Sequence, residues 1–199
     1  MTKNPLALKL QNHKLILASG SPRRKKFFED LGLPFEIRLK PIEEVYPKNL
    51  IGKEIPVYLA ELKASILKKE LNPMEILVTS DTVVWHHKKS LAKARDKEEA
   101  FDMLQKISGQ WHEVITAVCF TTKTTQKTIS AITKVKFANL SADEINYYID
   151  TYSPYDKAGA YGIQEWLGAI AIEAIEGSYN NVVGLPTHLV YKTLMHMAS

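Results

Sequence analysis

The 199-residue chain is 45% hydrophobic and 24% charged, which is the composition of a globular protein with a sizeable core and excludes a disordered chain. Its net charge of +4 suits a polyanionic ligand, but the excess of 26 basic over 22 acidic residues is too small to indicate a nucleic-acid-binding protein. The single cysteine excludes an intrachain disulfide, and without an apolar run of the roughly 20 residues that span a membrane we expect a cytoplasmic protein with no membrane partner.

Residues 1–13 are predicted to be a flexible arm. Asn4-Pro5 and Gln11-Asn12-His13 interrupt any regular pattern in this segment. No internal repeat or long linker follows it, so residues 14–199 are predicted to form a single domain.

A strand, a turn of small residues and a helix follow the arm. Leu15–Ala18 is a short apolar run that predicts a buried strand, while Lys25–Leu31 has helical spacing. The turn, Ser19–Ser21, leaves room for a ligand at the backbone, and a helix N-terminus offers unpaired N–H groups to an anion. Arg23 and Arg24 add two permanent charges in the first turn, where the helix dipole alone disfavours cations. These features predict an anion site, with a solvated corner as the alternative.

Two carboxylates and a lysine are the next polar candidates. Phe35–Leu39 alternates and predicts a second strand, after which Glu43 and Glu44 follow. Ile55–Glu70 predicts an amphipathic helix that contains Lys63. From the pattern alone, the acids are as readily plain surface residues, and the lysine is more readily a solvated one.

The clearest physical signal is an acid inside an apolar strand. Ile76–Trp85 predicts a strand that enters the core, and Ser80, Asp81 and Thr82 interrupt its apolar residues. A buried carboxylate is costly unless it is paired, hydrogen-bonded or bound to a metal. Asp81 is therefore predicted to be functional, with a structural role as the alternative.

The second half of the chain combines capped helices with long strands. Asp96 and Ser141 are predicted N-caps, and Glu144 completes a capping box with Ser141. His112 is more readily a satisfied structural histidine than a catalytic one. The predicted elements are helices over 97–107 and 141–150, strands over 111–121 and 127–137, and a terminal helix over 187–197.

Strings that carry a family resemblance are spread along nearly the whole chain, from Leu15 to Leu194. They are Ala18-Ser19-Gly20-Ser21-Pro22-Arg23-Arg24, Ser80-Asp81-Thr82, Ser108-Gly109-Gln110-Trp111-His112, Asp156-Lys157-Ala158-Gly159-Ala160-Tyr161-Gly162-Ile163-Gln164 and Glu176–Pro186. In this order they resemble the Maf family of nucleotide pyrophosphatases. The resemblance implies an α/β fold with a long mixed central sheet flanked by helices, and two lobes with a cleft, similar to the inosine triphosphate pyrophosphatases. It also implies an enzyme that hydrolyses a nucleoside triphosphate to a monophosphate and pyrophosphate.

The resemblance also assigns roles to single residues. Asp81 is implied as the general base that activates water, although the sequence leaves open whether it is a base or a metal ligand. Glu44, with Glu43 as a second choice, and Asp81 are the implied ligands of a divalent cation, Mg²⁺ or Mn²⁺. The residues implied to bind the substrate are Ser19, Arg23, Arg24, Lys63, Thr82, Lys93 and Gln164.

Three positions depart from the pattern of the relatives. Ser80 replaces an alanine and adds a hydroxyl beside Asp81. Ala92 and Ala94 replace a glutamate and a proline on either side of Lys93. The carboxylate that relatives carry next to this lysine is therefore absent, which leaves open how metal or water is held there.

Three residues bear on the choice of base. Arg24, Thr82 and Gln164 match the relatives that cleave dTTP and UTP, and the Gln164 amide can pair with O4 and N3–H of thymine or uracil. A 7-methyl-GTP pyrophosphatase is the alternative within the family, and a division-regulating protein-interaction module is an alternative without catalysis. Relatives imply a homodimer, and no stable nucleic-acid partner is expected, because the lysines are scattered and form no aromatic-rich basic face.

Overall fold

The computed structural model describes residues 3–198, so Met1 and Thr2 of the predicted arm, and Ser199, lie outside the described residues. Seven strands in this range form one sheet. They are β1 (Lys14–Leu17), β2 (Phe35–Ile37), β3 (Glu75–His86), β4 (Lys89–Leu91), β5 (Trp111–Thr121), β6 (Gln126–Phe137) and β7 (Ile172–Glu176). Their order is β2-β1-β3-β5-β6-β7, and β4 pairs with β3 outside this path. The sheet is mixed, because β1 is parallel to β2 and β3 whereas β4 and β7 are antiparallel to their neighbours.

The helices flank this sheet, as the sequence predicts. They are α1 (Pro5–Lys9), α2 (Pro22–Asp30), α3 (Glu54–Lys68), α4 (Lys97–Ile107), α5 (Ala142–Tyr152), α6 (Trp166–Ala171), α7 (Tyr179–Val183) and α8 (Thr187–Met197), with a short 3₁₀ turn at Pro154–Asp156. Between residues 3 and 198, none of these helices combines the length and the apolar character that crossing a membrane requires. The prediction of a mixed α/β protein with a central sheet is confirmed.

The described chain divides into two compact units. The first unit takes the chain up to Asp81, residues 116–131 and the chain from Gly184 onward, and the second unit takes residues 82–115 and 132–183. Strands β3, β5 and β6 each continue from one unit into the other. The single domain over residues 14–199 stays a prediction.

In the first unit, alternate residues of the central strands enter different clusters of buried side chains. Leu15 and Leu17 of β1 lie in register with Ile76 and Val78 of β3, and all four belong to one cluster. The residue between each pair belongs to the other cluster, because successive strand side chains point to opposite faces. Helices α1, α2 and α8 supply Leu6, Phe28, Val190 and Leu194 to the first cluster, and α3 supplies Ala60, Ala64 and Leu67 to the second.

The second unit packs α4, α5 and α6 around a core of its own. The Asp96 side chain accepts a hydrogen bond from the Glu99 N–H at 2.8 Å, so α4 begins where the sequence predicts. Ser141 and Glu144 form the predicted capping box of α5. Buried side chains from these helices include Leu104, Ile107, Ile145, Tyr148, Ile149 and Leu167, and Phe137 of β6 joins them.

The structure differs from the predicted flexible arm at α1. The Asn4 side-chain oxygen accepts from the N–H groups of Leu6 and Ala7 at 3.0 and 3.3 Å, and its amide donates to the Leu31 carbonyl at 2.7 Å. Leu6 is fully buried, and α1 packs against α8. A helix of five residues has no stability of its own, so its sequence pattern is weak and tertiary packing supplies its stability.

Candidate active site

Asp81 is a buried acid of the first unit. It lies on β3 and only 7% of its surface is exposed. The strand is buried here because it lies between β1 and β5 in the middle of the sheet. The sequence prediction that an apolar strand carries this carboxylate into the core is confirmed.

Lys63 is the direct partner of this acid. Its Nζ donates to Asp81 Oδ1 at 2.6 Å and lies 3.1 Å from Glu44 Oε1. Helix α3 is held to β3 one turn earlier, where the Thr79 hydroxyl donates to the Ala60 carbonyl at 2.6 Å. The predicted lysine and two of the predicted carboxylates are therefore brought together, whereas Glu43 is exposed beside them.

Burial dominates the electrostatics of Asp81. Loss of solvent raises the pKa of its carboxyl, while Lys63 and Arg24 act in the opposite direction. A carboxyl with a raised pKa is a stronger base than an ordinary aspartate. The group is thus suited to accept a proton from water.

Arg24 connects the start of α2 to the same strand. Its Nη1 donates to the Ser80 carbonyl at 2.9 Å and lies 3.4 Å from Ser19 Oγ, and its Nε donates to the Gly184 carbonyl at 3.0 Å. Burial lowers the pKa of Arg24 and the nearby Asp81 carboxylate raises it, but a guanidinium remains protonated in proteins. The predicted Ser19 and Arg24 therefore belong to the same cluster as Asp81.

The N-terminus of α2 has the geometry that the turn sequence predicts. Ser21 is the N-cap, its hydroxyl oxygen accepts from the Arg24 N–H at 3.4 Å, and Pro22 is the first helical residue. Arg23 is half-buried in the first turn of α2, and its charge lowers the pKa of Arg24 further. Two like charges at a helix start are unfavourable without an anion, which supports the prediction of an anion site.

The remaining predicted residues lie in the second unit. Thr82 follows Asp81 along β3 and is half-buried. Lys93 is exposed, and its backbone forms an antiparallel bridge with Ala158. The Gly159 N–H donates to the Leu91 carbonyl at 3.0 Å, so the loop that ends at Gln164 is fixed to the segment that carries Lys93.

The two alanine departures have different consequences. Ala94 is 4% exposed and belongs to the core of the second unit, so an apolar side chain still anchors the segment without proline. Ala92 is exposed and leaves no carboxylate beside Lys93.

The loop from Asp156 to Gln164 is closely packed on both sides. Gly159 has a φ of +68°, and a Cβ built on it would lie 2.9 Å from Val84 Cγ2, so only glycine fits. The Tyr161 hydroxyl lies 2.8 Å from His112 Nε2, and burial lowers the pKa of His112 to about 3. His112 is therefore a neutral buried histidine, but it differs from the predicted satisfied one because its Nδ1 has no hydrogen-bond partner within residues 3–198. Gln164, at the end of the loop, is exposed and available to a ligand.

The sequence analysis missed the residues that position the predicted ones. Gly184 supplies a carbonyl to Arg24, and Tyr148 and Glu165 contact each other beside Gln164. The string around Gly184 was recognised only as part of a family pattern, and Tyr148 has the spacing of an ordinary core residue on α5. Only the position of Glu165 next to Gln164 is a signal that sequence offers.

The residues present fit a metal only in part. Within residues 3–198, no group of three or more His, Cys, Asp or Glu side chains could hold a metal ion. Glu44 and Asp81 nevertheless both approach Lys63 Nζ, so two hard carboxylate donors face one point. This set fits a Mg²⁺ or Mn²⁺ ion that a substrate phosphate also ligates, and does not fit an ion held by protein groups alone.

The fold and these contacts define an α/β protein in which an arginine-bearing helix start lies beside a buried, lysine-paired acid. The chain belongs to the Maf-like protein family, whose family model matches residues 14–197. The match begins at β1 and includes the elements that carry all the residues described above.

Curated relatives cover nearly the full length. A protein from Flavobacterium johnsoniae named dTTP/UTP pyrophosphatase is 57% identical over 186 residues, which are 94% of this chain and 96% of the relative. Proteins with the same name from Flavobacterium psychrophilum and Christiangramia forsetii are 56% and 52% identical, over 96% and 94% of this chain and 98% and 96% of their own lengths.

Similarity to solved structures is weaker. The Staphylococcus aureus Ham1 protein is 14% identical with a TM-score of 0.49, and covers 92% of this chain and 99% of that chain. A dITP/XTP pyrophosphatase from Mycobacterium abscessus is 12% identical with a TM-score of 0.46, over 92% of this chain and 95% of that one. The fold assignment therefore rests on the sheet and helices of this chain itself.

Proposed function

We propose that this protein hydrolyses nucleoside triphosphates, with dTTP and UTP as substrates, to the monophosphate and pyrophosphate. Three relatives that are 52–57% identical carry the name dTTP/UTP pyrophosphatase. The observation that carries the proposal is the Asp81 carboxylate, 7% exposed and 2.6 Å from Lys63 Nζ, in the same cluster as Arg24.

Asp81 acts as the base. A water molecule loses a proton to the carboxylate and attacks phosphorus, and the bond between the α- and β-phosphoryl groups breaks. The monophosphate then carries the water oxygen, and pyrophosphate leaves. Burial raises the pKa of Asp81, which favours acceptance of the proton.

The cations of the site bind and stabilise the phosphates. Arg23, Arg24, Lys63 and Lys93 neutralise charge on the triphosphate, which grows on the leaving pyrophosphate as the bond opens. Ser19 adds an uncharged donor beside the first turn of α2. Glu44 and Asp81 would hold a Mg²⁺ or Mn²⁺ ion together with the phosphates, and the ion would supply further charge neutralisation.

We assign recognition of the substrate's nucleobase to Arg24, Thr82 and Gln164. Gln164 is exposed, so its amide is free to pair with the O4 and N3–H edge of thymine or uracil. A neutral amide does not specifically stabilise the positive charge of 7-methylguanine. A site with this pair also leaves polar groups unpaired when the wrong base binds.

The test is the release of pyrophosphate from a panel of dTTP, UTP, CTP, ATP, GTP and 7-methyl-GTP, with product nucleotides separated by anion-exchange chromatography. We expect monophosphate and pyrophosphate in equal amounts, and kcat/KM for dTTP and UTP well above that for 7-methyl-GTP. Gln164→Ala should narrow this gap. A preference for 7-methyl-GTP would assign the protein to the other kind of pyrophosphatase.

A division-regulating interaction module remains the second candidate. It predicts that the folded, metal-supplemented protein releases no pyrophosphate from any nucleotide and instead binds a protein partner. Pyrophosphate release by the parent, lost in Asp81→Asn, would contradict it.

The cellular setting is proposed from the same resemblance. We propose a cytoplasmic homodimer that binds nucleotides and forms no stable complex with nucleic acid. Light scattering after size-exclusion chromatography tests the dimer, and a monomer at micromolar concentration would contradict it.

A further inference from the structure

Gln164 alone cannot choose between uracil and cytosine. Uracil presents an acceptor at O4 and a donor at N3, whereas cytosine presents a donor at N4 and an acceptor at N3. A primary amide carries a donor at one end and an acceptor at the other, so rotating it by 180° converts one match into the other. Selection of uracil or thymine therefore requires a neighbour that fixes which end of the amide is which.

The Glu165 carboxylate lies near the Gln164 amide nitrogen. A Cβ built on Gly162 would lie 2.7 Å from Gln164 Nε2 and 2.9 Å from Glu165 Oε2, so both atoms are close to the same point on the loop. An ionised carboxylate only accepts hydrogen bonds, so it favours the NH₂ end of the amide on its own side and disfavours the carbonyl end.

The Glu165 carboxylate is held at both oxygens. The buried Tyr148 hydroxyl donates to Oε2, and Lys157 Nζ lies 3.1 Å from Oε1. The same hydroxyl accepts from the Gly162 N–H at 2.9 Å, so Tyr148 joins the residues on either side of Ile163 and Gln164. Although Glu165 is the N-cap residue of α6, its side chain makes no capping bond there, which leaves the carboxylate to these two partners.

The partners are themselves rigid. Tyr148 is fully buried in the core of the second unit, and the side chain of Lys157 is 9% exposed. Burial and the adjacent carboxylate raise the pKa of the Tyr148 phenol, so it remains protonated and continues to donate. Gly168 is needed as well, because a Cβ there would lie 1.8 Å from the Ile163 carbonyl.

We propose that Glu165, held by Tyr148 and Lys157, fixes the orientation of the Gln164 amide and so makes the site select uracil and thymine over cytosine. Tyr148 and Glu165 are positioning residues, because neither is assigned a contact with the substrate. The inference rests on the proposed function, since it specifies how that site reads the base.

The experiment compares kcat/KM for UTP and CTP, which differ only at the edge that Gln164 reads. The variants are Tyr148→Phe, which keeps the ring and removes the hydroxyl, and Glu165→Gln, which keeps the shape and removes the charge. The matched control is Tyr152→Phe on the same helix: its ring stacks on Tyr148 at a centroid distance of 5.1 Å, and within residues 3–198 its hydroxyl makes no hydrogen bond.

We expect the ratio of kcat/KM for UTP to that for CTP to fall about tenfold in Tyr148→Phe and in Glu165→Gln, through a higher KM for UTP and a lower KM for CTP. The control should keep the parental ratio within about twofold. If Tyr148→Phe fails to fold, Glu165→Gln decides, because the Glu165 side chain is 19% exposed and its substitution leaves the core intact.

Three outcomes would overturn the inference. They are an unchanged ratio in the two variants, an equal fall of the ratio in the control, and a parent that cleaves UTP and CTP equally well. In each case the parent is an active pyrophosphatase and the proposed function stands. A parent that cleaves neither UTP nor dTTP would overturn the proposed function and the inference together.

Discussion

Two carboxylates on β3 show how differently burial can act on the same chemical group. Glu75 and Asp81 lie on one strand, are 4% and 7% exposed, and each pairs with a cation. The pKa of Glu75 is lowered from 4.5 to about 2, whereas the pKa of Asp81 is raised. A small exposed fraction by itself therefore does not decide the direction in which the pKa of a carboxyl group shifts.

Depth below the surface and the partners together explain the difference, because desolvation is the largest influence on the pKa of Asp81 and the bond to Arg38 is the largest on that of Glu75. Glu75 accepts hydrogen bonds from both terminal nitrogens of Arg38, at 3.0 and 3.3 Å, and from the Asn72 N–H at 3.0 Å. These bonds stabilise its ionised form. Asp81 has one lysine, which it shares with Glu44, and loses more to desolvation than it regains. An ion pair of the first kind stabilises the fold, and one of the second kind keeps a base reactive.

The largest expected effect comes from replacing Asp81, the reactive one of the two carboxylates. Asp81→Asn should lower kcat about 10²- to 10⁴-fold, because the amide keeps the shape and cannot accept the proton. It should not lower the melting temperature, because an ionised carboxylate with a raised pKa is itself unfavourable to the fold. Pyrophosphate release measures kcat, and thermal unfolding measures the melting temperature. Near-parental turnover in the folded variant would refute the assignment of Asp81 as the base.

Removing Lys63, which Asp81 shares with Glu44, should increase the difference in pKa between Asp81 and Glu75. In Lys63→Met the carboxyl loses its counter-charge, so the pKa of Asp81 rises further and the acid limb of the kcat/KM profile moves to higher pH. At neutral pH we expect a fall of about 10- to 100-fold, because a phosphate ligand is lost as well. Lys69→Met, exposed at the end of the same helix, is the control and should leave the profile unchanged.

The structural carboxylate should show the reverse pattern. Glu75→Gln should cost about 2 kcal/mol of unfolding free energy, because within residues 3–198 Arg38 would keep only Glu36 as its ionic partner, and should leave kcat/KM unchanged. Because the pKa of Glu75 is lower in the folded protein than in the unfolded chain, its carboxylate stabilises the fold at pH values above the unfolded pKa. The difference in unfolding free energy between the variant and the parent should therefore shrink as pH falls from 4.5 toward 2. Urea denaturation from pH 7 down to about pH 2 tests the sign, and a difference from the parent that grows toward acid would contradict it.

The smallest effect concerns the hydroxyl beside Asp81. Ser80 is 1% exposed, and its Oγ has no hydrogen-bond partner within residues 3–198. Ser80→Ala should therefore stabilise the fold by about 1 kcal/mol or leave it unchanged, since a buried hydroxyl without a partner costs free energy. Turnover should stay within about twofold of the parent. A large loss of turnover would show that this hydroxyl takes part in the reaction.

Local signals allowed the sequence to predict some elements to the residue. Asp96 and Ser141 are caps whose side chains bond within the next turn, so they report the starts of α4 and α5 without tertiary information. Strand β7 and helices α6 and α7 were not predicted, because elements of five or six residues carry too little periodicity and are stabilised by their neighbours.

For the site, the sequence predicted the reactive groups better than their partners. The cost of burying Asp81 is visible from the apolar residues around it, the basic helix start indicates Arg24, and the resemblance adds Lys63. The contact between Arg24 and the Gly184 carbonyl joins residues 160 positions apart, so no local pattern could indicate it. The hydrogen bond from Tyr148 to Glu165 also joins residues that are distant in sequence, so no local pattern indicates it.

Helix α1 has a practical consequence for anyone who prepares this protein. Leu6 and Leu10 cover apolar side chains of α8, among them Val190 and Leu194. Trimming the chain to the start of β1, as the family match at residue 14 invites, would uncover this surface. Such a truncated chain should aggregate during purification, whereas an affinity tag placed ahead of Asn4 with a flexible spacer should leave the helix in its place.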